Sequence, residues 1–108
     1  LEASAAAAAG AQETRAGSPD FRISLVNAAG ADAYPISTWT YLLVPAQMPD
    51  CTKAQALVQV VRWALTDGSV AARELGYAPL PDAVRDAVFT KLGSITCGAN
   101  RQPVSSAS

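Results

Sequence analysis

The fold is decided by residues 36–67, which read ISTWTYLLVPAQMPDCTKAQALVQVVRWALTD. Residues 36–44 are rich in β-branched and aromatic side chains and end in an unbroken apolar run, which predicts a strand with both faces covered. Residues 52–67 repeat apolar side chains at the helical period, and Thr52 with Gln55 matches the capping-box pattern at a helix start. A strand followed by an amphipathic helix indicates an α/β fold.

Two more helices are predicted after residue 68. Residues 69–75 form a short helical pattern that Gly76 closes in the left-handed conformation. Residues 81–96 carry an apolar stripe at helical spacing, and Pro81 suits the first helical position because its fixed φ matches the helix. From residue 98 onward we expect a polar tail.

The N-terminal part gives weaker patterns. Residues 1–9 are rich in alanine, the best helix former, and predict a helix that stops at Gly10. Residues 21–26 alternate apolar and polar side chains, which predicts a half-buried strand. The start has neither an initiator methionine nor a basic region before an apolar stretch, so we expect a chain that begins mid-gene rather than an intact signal peptide.

The composition is that of one soluble domain or a piece of one, with 50% hydrophobic and 16% charged residues among 108. Eight basic and nine acidic residues, without runs of like charge, argue against a nucleic-acid partner and a polybasic membrane patch. The absence of histidine removes most zinc sites and histidine-activated nucleophiles. We therefore expect no enzyme activity and no cofactor.

The two cysteines, Cys51 and Cys97, are the candidates for a disulfide. One precedes a predicted helix and the other follows a predicted helix, so they approach only if these helices pack antiparallel or a loop folds back. A disulfide would fit an exported protein. Two unpaired thiols are the alternative.

Two ordered motif blocks resemble the phosphate-binding-protein family (PstS) of bacterial phosphate ABC transporters. The first is LVNAAGADAYPIS at residues 25–37, and the second joins WALTDG at 63–68 to ARELGYAPLP at 72–81. The resemblance covers about residues 20–96. It implies the C-terminal part of a type II periplasmic-binding-protein fold, which has two α/β lobes joined by crossing strands.

The resemblance also implies a division of the chain. Residues 1–35 would be the remnant of one lobe and the approach to the hinge, and residues 36–108 the crossing strand and the helices that complete the other lobe. Lobe closure needs a few residues that absorb changes in φ and ψ, and the hinge candidates are Tyr34, Pro35, Ile36 and Ser37. A merely stiff loop at this place is the alternative.

The implied function is capture of inorganic phosphate and its delivery to an ABC permease, with this chain as a fragment of the receptor. The family's phosphate ligands lie in earlier parts of its chains, so no phosphate-binding residue is expected here. The partners would be phosphate through the parent protein, the permease and the remaining N-terminal part of the receptor. We expect a periplasmic or extracellular location, compatible with a lipid anchor upstream.

Two other functions stay open. A receptor of the same fold could take another oxyanion, such as sulfate or molybdate. A stand-alone helix-rich interaction domain is the second alternative, from a different class of protein.

Overall fold

A computed structural model of the chain describes residues 21–22, 24–27, 31 and 33–104. Its elements run in the order β1 (Gln47–Met48), α1 (Cys51–Leu65), α2 (Gly68–Glu74), α3 (Asp82–Gly93), β2 (Thr96–Cys97) and β3 (Gln102–Pro103). The predicted helix at residues 1–9 lies outside the described residues. In the part of the chain that is described, no helix has the length and apolar character needed to span a membrane.

Helix α1 confirms the most strongly patterned prediction, but its cap is different. The Asp50 carboxylate accepts hydrogen bonds from the backbone N–H groups of Thr52 at 2.9 Å and Lys53 at 3.2 Å. Asp50 is extended, with φ −106° and ψ 113°, so it is the N-cap and Thr52 lies inside the first turn. The predicted start at Thr52 was therefore one residue late.

The short helix α2 is confirmed, and the last helix only in part. Gly76 follows α2 with φ +86°, the left-handed conformation expected of a closing glycine. Pro81 caps α3 from outside rather than occupying its first turn, and α3 ends at Gly93 instead of residue 96. The helix stops because the next backbone groups pair elsewhere: the Thr96 N–H donates to the Ala46 carbonyl at 3.0 Å.

Both predicted strands are wrong. Residues 36–44 belong to no strand, and the described residues among 21–26 form none either. A strand needs a neighbour that satisfies its backbone N–H and C=O groups. Within the described part, the hydrogen-bond ladder forms instead between short segments that lie further along the chain.

Those segments make a three-stranded sheet in the order β1-β2-β3. β1 and β2 are parallel, with Gln47 opposite Thr96, and β2 and β3 are antiparallel, with Thr96 opposite Pro103. The predicted polar tail is therefore also wrong, because residues after 98 return to the sheet and Val104 is only 6% exposed. Three helices and a small mixed sheet among the described residues confirm the α/β class.

The core lies between α1, the end of α3 and the sheet. Its buried members are Ala54, Leu92, Ile95, Cys97 and Val104, with Val58, Val61 and Phe89 packed against them. A disulfide joins Cys51 at the start of α1 to Cys97 in β2 across a sequence separation of 46. The parallel β1–β2 pairing brings the two cysteines together, so the antiparallel helix packing considered from the sequence is not what joins them.

Candidate functional site

The four hinge candidates lie in one exposed bend closed by Asn27. The Asn27 N–H donates to the Pro35 carbonyl at 3.0 Å, and the Ser37 hydroxyl donates to the Tyr34 carbonyl at 3.1 Å. Asn27 has φ +52°, a left-handed conformation that asparagine tolerates better than most residues. Asn27 was not singled out from the sequence, although an asparagine before a small-residue loop is a signal for such a turn.

The bend has little packing around its side chains. Tyr34 is 52% exposed and Ile36 is 76% exposed. Two backbone-directed hydrogen bonds thus hold the bend rather than burial of its apolar groups. Little burial therefore opposes changes in the φ and ψ angles of the residues around Pro35, and the hinge assignment stays a prediction.

Residues 36–44, which begin within the bend, expose several apolar side chains. Leu42 is 65% exposed and Leu43 is 93% exposed. The Tyr41 hydroxyl donates to the Phe21 carbonyl at 3.1 Å, which connects the segment to the N-terminal part of the described chain. Leu42 and Leu43, predicted to be covered on both faces, are therefore exposed, whereas Val44 packs against the core.

An open groove of about 490 Å³ lies between α1 and the end of α3. Its lining residues are Gln55, Val58, Gln59, Arg62, Leu92, Gly93 and Val104, of which Arg62 alone is charged. The Arg62 guanidinium carbon lies 5.3 Å from the centre of the Phe89 ring, in cation–π range. Tight oxyanion sites hold their ligand through many fixed donors, and one arginine on an aromatic ring does not supply them.

The paired carboxylates at helical spacing, Asp82 and Asp86, do not form an acid–base pair. Arg85 contacts both, at 2.8 Å to Asp82 and 3.3 Å to Asp86, and the two aspartate side chains are 84% and 67% exposed. They are solvated ion pairs on the surface of α3. Among the described residues, no group of three or more His, Cys, Asp or Glu side chains could hold a metal ion.

Comparison with known proteins finds similarity to the same family that the motif blocks resemble. The chain is 36% identical over 80 residues to the phosphate-binding protein PstS of Xylella fastidiosa (strain Temecula1), an alignment that covers 74% of this chain. It is 37% identical over 64 residues, or 57% of the chain, to PstS of Pasteurella multocida (strain Pm70). The chain resembles the PstS family. The resemblance drawn from residues 25–37 and 63–81 is confirmed.

The alignments cover only a small part of each PstS relative. The chain spans about a fifth of the length of the PstS proteins it matches, 21% and 18% for the two named above. A weaker similarity, 26% over 82 residues, reaches a putative serine/threonine-protein kinase/receptor of Acanthamoeba polyphaga mimivirus and covers 5% of that protein. No family model matches the chain, and no solved structure does either.

Proposed function

We propose that this chain is a C-terminal segment of the receptor of a phosphate ABC importer, working outside the cytoplasmic membrane. The observation that carries the proposal is the 36% identity to PstS over 80 residues, together with a span of only 21% of that relative. The receptor captures inorganic phosphate and delivers it to the permease. It has no catalytic role.

Residues 36–44, which expose Ile36, Leu42 and Leu43, support a place inside a larger fold. Their composition is that of a strand buried on both faces, yet Leu43 is 93% exposed here. In the receptor this segment is the crossing strand, and its ladder partners belong to the part of the receptor that precedes this chain. Residues 1–35 then belong to one lobe and residues 36–108 complete the other, in a two-lobed fold of type II.

The phosphate site lies outside this segment. The chain has a net charge of −1, and the groove beside Arg62 offers one guanidinium without a set of converging donors. The lobe is a scaffold, and the ligand residues are contributed by earlier parts of the receptor.

Calorimetry on the full-length protein and on residues 1–108 alone tests whether the phosphate site lies outside this segment. The full-length protein that contains the sequence is expected to bind inorganic phosphate tightly, whereas residues 1–108 alone are expected to show no binding. Tight phosphate binding by residues 1–108 would contradict the placement of the site. Competition with sulfate and molybdate on the full-length protein determines the oxyanion, and preference for either one would replace phosphate as the ligand.

The hinge at Tyr34, Pro35, Ile36 and Ser37 is tested in the full-length receptor. Pro35→Gly removes the ring that fixes φ, so the open state gains freedom and phosphate affinity is expected to fall without any loss of ligand contacts. Calorimetry measures the affinity, and small-angle X-ray scattering with and without phosphate measures closure. Pro79→Gly, in the connection between α2 and α3, is the matched control. Equal behaviour of the two variants would remove the hinge assignment.

A further inference from the structure

The two sulfurs of the disulfide have different surroundings. Cys97 is 0% exposed and belongs to the buried core cluster. Cys51, the first residue of α1, is only partly buried and packs against that cluster. Solvent therefore has access to Cys51 and none to Cys97.

Gly98 leaves open space beside the Cys51 sulfur. A β-carbon added at Gly98 would lie 3.4 Å from Cys51 Sγ. Apart from Gly98 and its two chain neighbours, no other heavy atom of the described residues lies within 4 Å of that position. The backbone holds Gly98 there, since its N–H donates to the Met48 carbonyl at 2.9 Å. The backbone pairing thus fixes a gap of at least methyl size next to Cys51 Sγ.

We propose that Cys51 Sγ is a site of thiol–disulfide exchange in the folded protein, and that the reagent it takes is a small thiol in its thiolate form. The gap beside Gly98 is narrow, which favours a small-molecule thiol over the active site of another protein. Asp50 and Lys53 flank Cys51 in the sequence with opposite charges, so charge excludes neither an anionic nor a cationic thiol. This exchange does not depend on the proposed function.

The exchange proceeds through a mixed disulfide. The thiolate attacks Cys51 Sγ, a bond forms between these two sulfurs, and the bond to Cys97 breaks with its electron pair leaving on Cys97. Cys97 then takes a proton from water. A second thiolate attacks the small-molecule sulfur of the mixed disulfide. This step releases Cys51 as a thiolate, which is protonated by water, and the two small thiols leave as their own disulfide.

The buried position of Cys97 slows the first step. Its thiolate forms inside an apolar cluster, where a charged sulfur loses its hydration. We therefore expect exchange in the folded protein to be slower than in the unfolded protein, but to occur at a single sulfur. Its consequence is local, because opening the bond removes the covalent tie between the start of α1 and β2.

Reduced glutathione is the probe, and the sample is the full-length protein that contains the sequence. After exposure to glutathione and an acid quench, free thiols are alkylated in denaturant and the mixed disulfide is located by peptide mass spectrometry. Glutathione is expected on Cys51 in nearly all exchanged molecules, with Cys97 alkylated. Equal amounts of glutathione on the two cysteines would overturn the proposal, and so would an absence of exchange below the unfolding transition.

The dependence of the rate on urea separates local access from unfolding. Exchange at an accessible sulfur changes little with urea far below the unfolding transition. Exchange that requires global unfolding rises steeply with urea and places glutathione on both cysteines. A steep rise would therefore refute exchange in the folded state.

Two glycine variants test the gap beside Cys51. Gly98→Ala places a methyl group against Cys51 Sγ and is expected to slow the exchange several-fold. Gly76→Ala is the matched control, because Gly98 at φ +71° and Gly76 at φ +86° both lie in the left-handed region. A β-carbon at Gly76 has no heavy atom of the described residues within 4 Å, so this variant should keep the rate nearly unchanged. Equal rates in the two variants would contradict approach through the gap. If Gly98→Ala fails to fold, the glutathione map of the unsubstituted protein decides the proposal.

Discussion

Reduction of the disulfide between Cys51 and Cys97 is expected to remove much of the stability of this chain. The bond closes a loop across a sequence separation of 46. In the chain-entropy model a loop of that length stabilises the folded state by about 4 kcal/mol at 25 °C. Small domains have a total stability of about 5–15 kcal/mol. The core cluster has five buried residues in the part of the chain that the structure describes, which places the expected stability near the lower end of this range.

The measurement is urea unfolding followed by circular dichroism, with and without a reductant. At an m-value near 2 kcal/mol/M, a loss of about 4 kcal/mol lowers the unfolding midpoint by roughly 2 M. Cys97 is 0% exposed, so replacing it removes core contacts in addition to the cross-link. The double variant Cys51→Ala, Cys97→Ala should therefore be slightly less stable than the reduced wild-type chain.

The double variant is also the control for the reductant. It has no disulfide, so its midpoint should be the same with and without reductant. If the wild-type midpoint likewise stays unchanged on reduction, the loop-closure reasoning is refuted. The unfolded chain would then have the same conformational entropy in the reduced and the oxidised form.

Two further substitutions test local features of the helices by the same unfolding measurement. Asp50→Ala removes the carboxylate that accepts two backbone N–H hydrogen bonds, and it should lower the free energy of unfolding by about 1 kcal/mol. Thr52→Ala should lower it clearly less. Equal losses in the two variants would contradict the assignment of Asp50 as the N-cap. Gly76→Ala forces a β-carbon into φ +86° and should cost about 1–2 kcal/mol. Gly93→Ala, with open space around a helical position, should be neutral or stabilising, and a loss at both glycines would point to crowding rather than backbone strain.

The helices were predictable because their signals are local. The apolar period of residues 52–67 and the glycine at position 76 depend only on neighbours within a few residues, and both predictions hold. The cap was predicted wrongly as Thr52, although Asp50, two residues earlier, is also of a capping type. The extended backbone at Asp50 decides between them, and that is a property of the preceding chain.

The strands were not predictable because pairing is not local. Residues 36–44 have strand composition but no ladder partner among the described residues. Gln47–Met48, between two prolines and without β-branched residues, is a strand because Thr96–Cys97 returns beside it. The end of α3 was missed for the same reason, since only the folded chain shows that the Gly98 N–H donates to the Met48 carbonyl.

The hinge candidates could be predicted from a proline and a family resemblance. The hydrogen bond between Asn27 and Pro35 could not be predicted. That contact joins residues on two sides of a loop: the asparagine indicates a turn, but the sequence does not show that Pro35 is its partner. The expectation that this segment holds no phosphate-binding residue came from the motif blocks alone and stays a prediction. The structure places Arg62 over Phe89.

The surfaces of this chain divide into two kinds, and the division follows the proposed architecture. Helix α3 carries ion pairs on its exposed side, whereas α1 and residues 36–44 expose Trp63, Leu42 and Leu43. Burying one leucine fully contributes about 1.5–3 kcal/mol, so covering residues 42–43 alone is comparable with the effect of the disulfide. In the proposed architecture, the rest of the receptor would pack against this apolar surface and supply a large share of the segment's stability.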